Sequence, residues 1–126
     1  MVSTKSGFGF VLEYVSDIDA ARRFFVDVLG LEVDREHPTF IQFRSRDGAS
    51  YAIATDDRMD PTATGPEVWW VVDDARAAFE QMSSAAEVRM PLRTMPFGTC
   101  FGVADPSGQV HYLLEFAAQR PSQQVG

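Results

Sequence analysis

Few side chains in this sequence are of the kinds that carry out covalent or metal chemistry. Histidine occurs twice, as His37 and His111, and cysteine once, as Cys100. The histidines lie far apart and share no metal-ligand spacing. A single cysteine leaves no internal disulfide and no cysteine-rich zinc site within these residues. Cys100 falls mid-strand in the run GTCFGVA, with no base beside it, and reads as a buried, inert thiol. Binding chemistry is therefore expected to come from rings and carboxylates.

The 126 residues suit one domain, or two very small halves fused into one. Hydrophobic residues make up 45% and charged residues 23%, a globular balance and not a disordered one. Acidic residues number 18 against 11 basic, for a net charge of −7. That charge repels a nucleic acid duplex or an anionic lipid surface and tilts any ligand toward a cation. No apolar run reaches the roughly 20 residues of a membrane helix, and no apolar stretch after Lys5 resembles a secretory leader. A reducing cytoplasm is the expected setting.

Punctuation along the chain predicts the elements that must position any site. Residues 8–15 read as a strand, and Asp17 as the N-cap of a helix over 18–29 ended by Gly30. Ile18, Ala21, Phe25, Val28 and Leu29 fall on one face of that helix. Strands follow near 31–36, 39–46 and 50–55, with Asp47-Gly48 as a two-residue hairpin turn. Residues 56–66 carry prolines, glycine and aspartates and read as a connection. The order then repeats: a strand at 67–72, a helix capped by Asp73 or Asp74 to about 83, and extended pieces near 87–93, 98–104 and 109–116. Asp105-Pro106-Ser107-Gly108 has the form of a type I turn. The polar tail 117–126 reads as loose. The result is a β-α-β-β-β unit occurring twice. Neither copy is large enough to bury a sound core alone.

The runs Tyr14-Val15-Ser16-Asp17, Phe24-Phe25 and Asp27-Val28-Leu29-Gly30-Leu31 resemble the first-module signature of the vicinal oxygen chelate superfamily. Val72-Asp73, Phe97-Gly98, Phe101 and Asp105-Pro106-Ser107-Gly108 resemble its second module. That superfamily holds glyoxalases, extradiol dioxygenases and bleomycin-resistance proteins. The resemblance implies an α+β fold in which two βαβββ modules, about 7–56 and 66–117, form a curved mixed-sheet cup with helices outside. It also implies a homodimer.

Metal-dependent members of that family draw four ligands from His, Gln and Glu on the first, fourth, fifth and eighth strands. Counted from the shared motifs, those positions here are Phe10, a residue within 51–55, Glu67 and Tyr112. Only Glu67 is a competent donor for a hard divalent ion. A shifted last strand would turn His111 or Glu115 inward instead. No metal, cofactor or catalytic set is therefore expected.

Strand alternation then lines the cup with rings. Phe10, Leu12, Tyr14, Phe40, Tyr51, Trp69 and Tyr112 are the expected walls, Glu67 the carboxylate, and Arg93 and Phe97 the flanks of a covering loop. Such walls suit a hydrophobic or aromatic ligand, with one carboxylate to choose its charge. The run from Phe101 to Gly108 resembles the bleomycin-resistance branch, whose members bind a drug without metal. The bland alternative is that the same residues are core and dimer interface. One catalytic alternative makes Tyr51 or Tyr112 a general acid with Glu67 in a metal-free lyase or isomerase, and another makes the chain a lyase, isomerase or dioxygenase with a divalent metal at a non-standard site including Glu67. A third makes the cup vestigial in an interaction module. Finally, Glu13 and Arg22 both fall between strand one and helix one, and are expected to pair.

Overall fold

The computed structural model describes residues 5–117; the rest of the tail expectation lies outside them. The chain divides between Val68 and Trp69 into two compact units, Gly9–Val68 and the flanking residues up to Phe8 and from Trp69 onward. Among the described residues they carry eight strands, two α-helices and one π turn, an α+β fold with mixed strand pairing. Among the described residues no helix is long and apolar enough to cross a membrane.

In the Gly9–Val68 unit the strand order is β2 (Glu32–His37), β3 (Phe40–Arg44), β4 (Ser50–Ala54), β1 (Gly7–Tyr14). β1 runs parallel to β4, and β2–β3 and β3–β4 are antiparallel. Asp17 caps α1 (Ile18–Arg23) by accepting from the Ala20 N–H at 3.0 Å. The predicted helix to residue 29 does not stay α-helical: Phe24–Val28 form a π turn, closed by the Leu29 N–H on the Phe24 carbonyl at 3.1 Å. The wider turn shifts the angular spacing, so Val26 packs inward with Phe25 while Val28 and Leu29 stand exposed. Gly30, at φ 76°, ends the segment as expected. Phe25, Ile41, Phe43 and Ile53 are buried between this helix and one face of the strands.

The second unit orders its strands β5 (Glu67–Val71), β8 (Val110–Phe116), β7 (Gly98–Ala104), β6 (Glu87–Met95). Asp74 is the cap of α2 (Ala75–Met82), accepting from the Ala77 N–H at 3.0 Å as Asp17 does for α1. Val72, Ala75, Ala78, Phe101 and Leu113 form the core beneath that helix.

The internal repeat extends to the turns. In the first, the Ser45 N–H meets the Ala49 carbonyl and the Gly48 N–H the Ser45 carbonyl. In the second, Asp105, Gln109 and Gly108 make the same two bonds. Three residues are thus enclosed in each, and Asp47-Gly48 is the end of a three-residue loop and not a two-residue turn.

The expected Glu13–Arg22 pair is not formed. Glu13 does face the helix side, but it accepts from the Tyr51 hydroxyl at 2.6 Å. Arg22 instead reaches Glu36 at the edge strand, 2.8 Å away, with both side chains well exposed. That pair contributes at most about 1 kcal/mol. The pairing of Val11 with Tyr51 brings the hydroxyl diagonally to Glu13. Burial first, then the bond to Glu13 and its charge, pushes the Tyr51 hydroxyl above the usual tyrosine range. Above about pH 10 the unfolded chain gives up this proton while the folded chain keeps it, so stability falls as pH rises. Tyr51→Phe should cost about 1–3 kcal/mol at neutral pH, because Glu13 loses its donor. It should also show a shallower alkaline decline than the parent protein in urea titrations between pH 9 and 11.

Candidate functional site

Within the Gly9–Val68 unit, alternation along β1 places Val11, Glu13 and Tyr51 on the helix side and Phe10, Leu12 and Tyr14 opposite. Phe10 meets Phe40 edge to face, with ring centroids 6.1 Å apart. Ala52 and Ala54, fully or almost fully buried, are the β4 residues facing this way. Tyr51 is therefore corrected as a wall residue: its ring packs on Phe25 on the helix side.

Glu67 is the only charged or polar residue among the described residues to be buried, at 5% exposure. A buried carboxylate is tolerated only when hydrogen-bonded. Here Oε1 accepts from the Tyr14 hydroxyl at 2.8 Å, and Oε2 from the Met59 N–H at 3.1 Å. Residues 56–66, read as a plain connection, thus fold back on the carboxylate. The Arg58 guanidinium lies over the Tyr14 ring, 4.8 Å from its centroid, and donates to the Gly65 carbonyl at 2.7 Å. Sequence reasoning missed Arg58 and the Met59 amide. The signal available was an arginine among aspartates in a segment of turn residues.

The metal-ligand positions implied by the resemblance do not form a donor set. In this unit they are a phenyl ring, the alanine methyls of β4 and one carboxylate with both oxygens engaged. Among the described residues no three of His, Cys, Asp and Glu converge as a metal site. Divalent ions need several hard donors from rigid positions, and these residues do not supply them.

In the second unit Trp69 stacks on Tyr112, with centroids 4.9 Å apart and planes 23° apart, and Phe97 meets Trp69 at 6.1 Å. Trp69 and Tyr112 are buried and Phe97 is 41% exposed. The alternative register for the last strand is closed. His111 faces the α2 side, where Nδ1 accepts from Trp70 Nε1 at 3.0 Å and Nε2 lies 3.0 Å from Asp105 Oδ2. Bonds from the Ser107 hydroxyl and from His111 hold the Asp105 carboxyl well below the usual carboxylate range. Glu115 caps α2 through the Ala75 N–H at 2.9 Å. Cys100 is buried, 3.7 Å from Met95 Sδ.

Arg93 is not brought to the Trp69 stack. It sits opposite Cys100 in the β6–β7 ladder, with its guanidinium 3.9 Å from Met90 Sδ. It lines a groove of about 360 Å³ with Asp74, Arg76, Leu92, Thr94, Thr99 and Glu115, none of which belongs to the stack. Register irregularities at Met90 and Arg93 decide this placement, and bulges are not legible from alternation.

A sequence model described as Glyoxalase/Bleomycin resistance protein/Dioxygenase superfamily matches residues 7–113. No curated protein matches. Among solved structures, one titled as NAD-dependent benzaldehyde dehydrogenase from Legionella pneumophila is 22% identical with a TM-score of 0.75, covering 86% of this chain and 98% of that one. A superfamily member from Vibrio splendidus 12B01 is 23% identical with a TM-score of 0.66, over 90% and 99%. Methylmalonyl-CoA epimerase from Mycobacterium tuberculosis is 18% identical with a TM-score of 0.70, over 100% and 97%. At these identities the likeness is one of fold.

Proposed function

We propose, from the premise that this chain belongs to the Glyoxalase/Bleomycin resistance protein/Dioxygenase superfamily, that it binds a small organic molecule by recognition and without a metal. The observation that carries this reading is the setting of Glu67. A buried carboxylate is oriented by Tyr14 and the Met59 amide, on a strand face whose other side chains include Phe10, Leu12 and Phe40. Apolar walls with few placed polar groups are the common form of a ligand site. Such a face binds an aromatic or aliphatic body and leaves Glu67 to select the polar end. In the other unit the exposed Phe97, set edge to face on the buried Trp69–Tyr112 stack, offers ring surface of the same kind.

Screening a panel of small aromatic and aliphatic compounds by thermal shift tests this reading. A ligand that binds only the folded chain at about 100 times its Kd stabilises it by about 2.7 kcal/mol, or roughly 10 °C. Glu67→Gln should weaken a hit by about 10- to 100-fold, the worth of a charge-assisted hydrogen bond. A panel without any shift would favour the vestigial interaction module.

One observation favours a second reading, an enzyme of the same fold. The Tyr14–Glu67 bond joins a phenol and a buried carboxylate, as an acid–base couple requires. Turnover abolished by Glu67→Gln would establish it.

A further inference from the structure

The segment 56–66 meets Glu67 and Tyr14 in a particular way. Arg58 is half-buried. Its guanidinium covers the Tyr14 ring and is tethered by a bond to the Gly65 carbonyl, and the next residue, Met59, gives its amide to Glu67. The same ring donates its hydroxyl to Glu67. A phenol ring whose hydroxyl is held by a carboxylate is a seat for a cation, because the ring quadrupole attracts it and the negative charge at the ring's edge adds to that field. In this structure the seat is filled by the chain's own guanidinium.

We infer that Arg58 stands in for the positive group of the ligand. The ligand is an organic cation with an aromatic or aliphatic body, and it binds by taking the place of Arg58 over Tyr14. This rests on the proposed small-molecule reading and adds to it the charge of the ligand and the group that competes with it. The neighbouring Asp56 and Asp57 are exposed, and they favour the approach of a cation over an anion.

The test is calorimetric titration of the full chain with benzylammonium, benzyl alcohol and benzoate, three probes of similar shape and different charge. Arg58→Ala and Arg58→Gln are titrated in parallel. Glutamine keeps an N–H for Gly65 and removes the charge, so it separates loss of the cation from loosening of the segment. Removing a cation–π contact should raise benzylammonium affinity about 2- to 30-fold in both variants. Benzyl alcohol should change little, and benzoate should bind more weakly in the variants than benzylammonium does. Benzylammonium affinity that is unchanged or reduced in both variants would overturn the inference and leave the small-molecule reading standing. So would variants that prefer the alcohol. Absence of binding by all three probes to all three proteins would overturn the inference and the reading together.

Discussion

Gly98→Ala should cost the protein about 4 kcal/mol, near the upper end for a single substitution. Gly98 opens β7 at φ 154°, and a Cβ there would run into the backbone carbonyl of Glu115, with the Leu114 side chain also in contact. The Leu114 methyl can swing aside, but the Glu115 carbonyl is backbone and cannot. The strands must separate where Gly98 pairs with Phe116. The damage spreads, because Glu115 caps α2 through Ala75 and the Phe97 carbonyl accepts from Ala117. Gly48→Ala is the control. Gly48 also has a positive φ, 88°, but a Cβ there meets nothing within 4 Å. It should cost only about 1 kcal/mol of conformational strain. Urea midpoints of the two variants compare them directly, and equal midpoints would mean that β7 and β8 are not paired in this register.

Trp69→Ala should cost about 3–5 kcal/mol, the range for emptying a large buried aromatic site. Trp69 is 2% exposed and stacked on Tyr112, so its removal forfeits dispersion contacts as well as burial. Trp69→Phe should recover more than half of that loss. A binding role would appear as a second effect: the Phe variant, folded, would still lose affinity for an aromatic ligand. Retained stability in Trp69→Ala would show that the ring is not packed as described.

Much of this was legible from residue types. Asp17 before a helical spacing gave the first cap and Asp73-Asp74 narrowed the second to two residues, and alternation from Phe10 placed Leu12 and Tyr14 on its face. Tyr51 was not legible in the same way. Its strand, Ser50–Ala54, is largely buried, and Ala52 and Ile53 are both fully enclosed. A strand apolar on both faces carries no parity signal, and the pairing of Val11 with Tyr51 decides which way the ring points. Val28 and Leu29 failed for a different reason. The helix pattern presumes 3.6 residues per turn, and the π turn at Phe24–Val28 breaks that count. The part of the site supplied by Arg58 and the Met59 amide lay in a segment whose composition shows only where the chain turns. A backbone N–H has no sequence signature, so its bond to Glu67 emerges only from the folded path.

Native mass spectrometry of the full chain, isolated without added metal or chelator, tests the central claim most directly. It reports metal, retained small molecules and the number of copies in one spectrum. A retained organic mass, lost or weakened in Glu67→Gln, with no stoichiometric divalent ion, is the result expected where rings and one oriented carboxylate do the holding. One divalent ion per chain, displaced by Glu67→Ala, would contradict it.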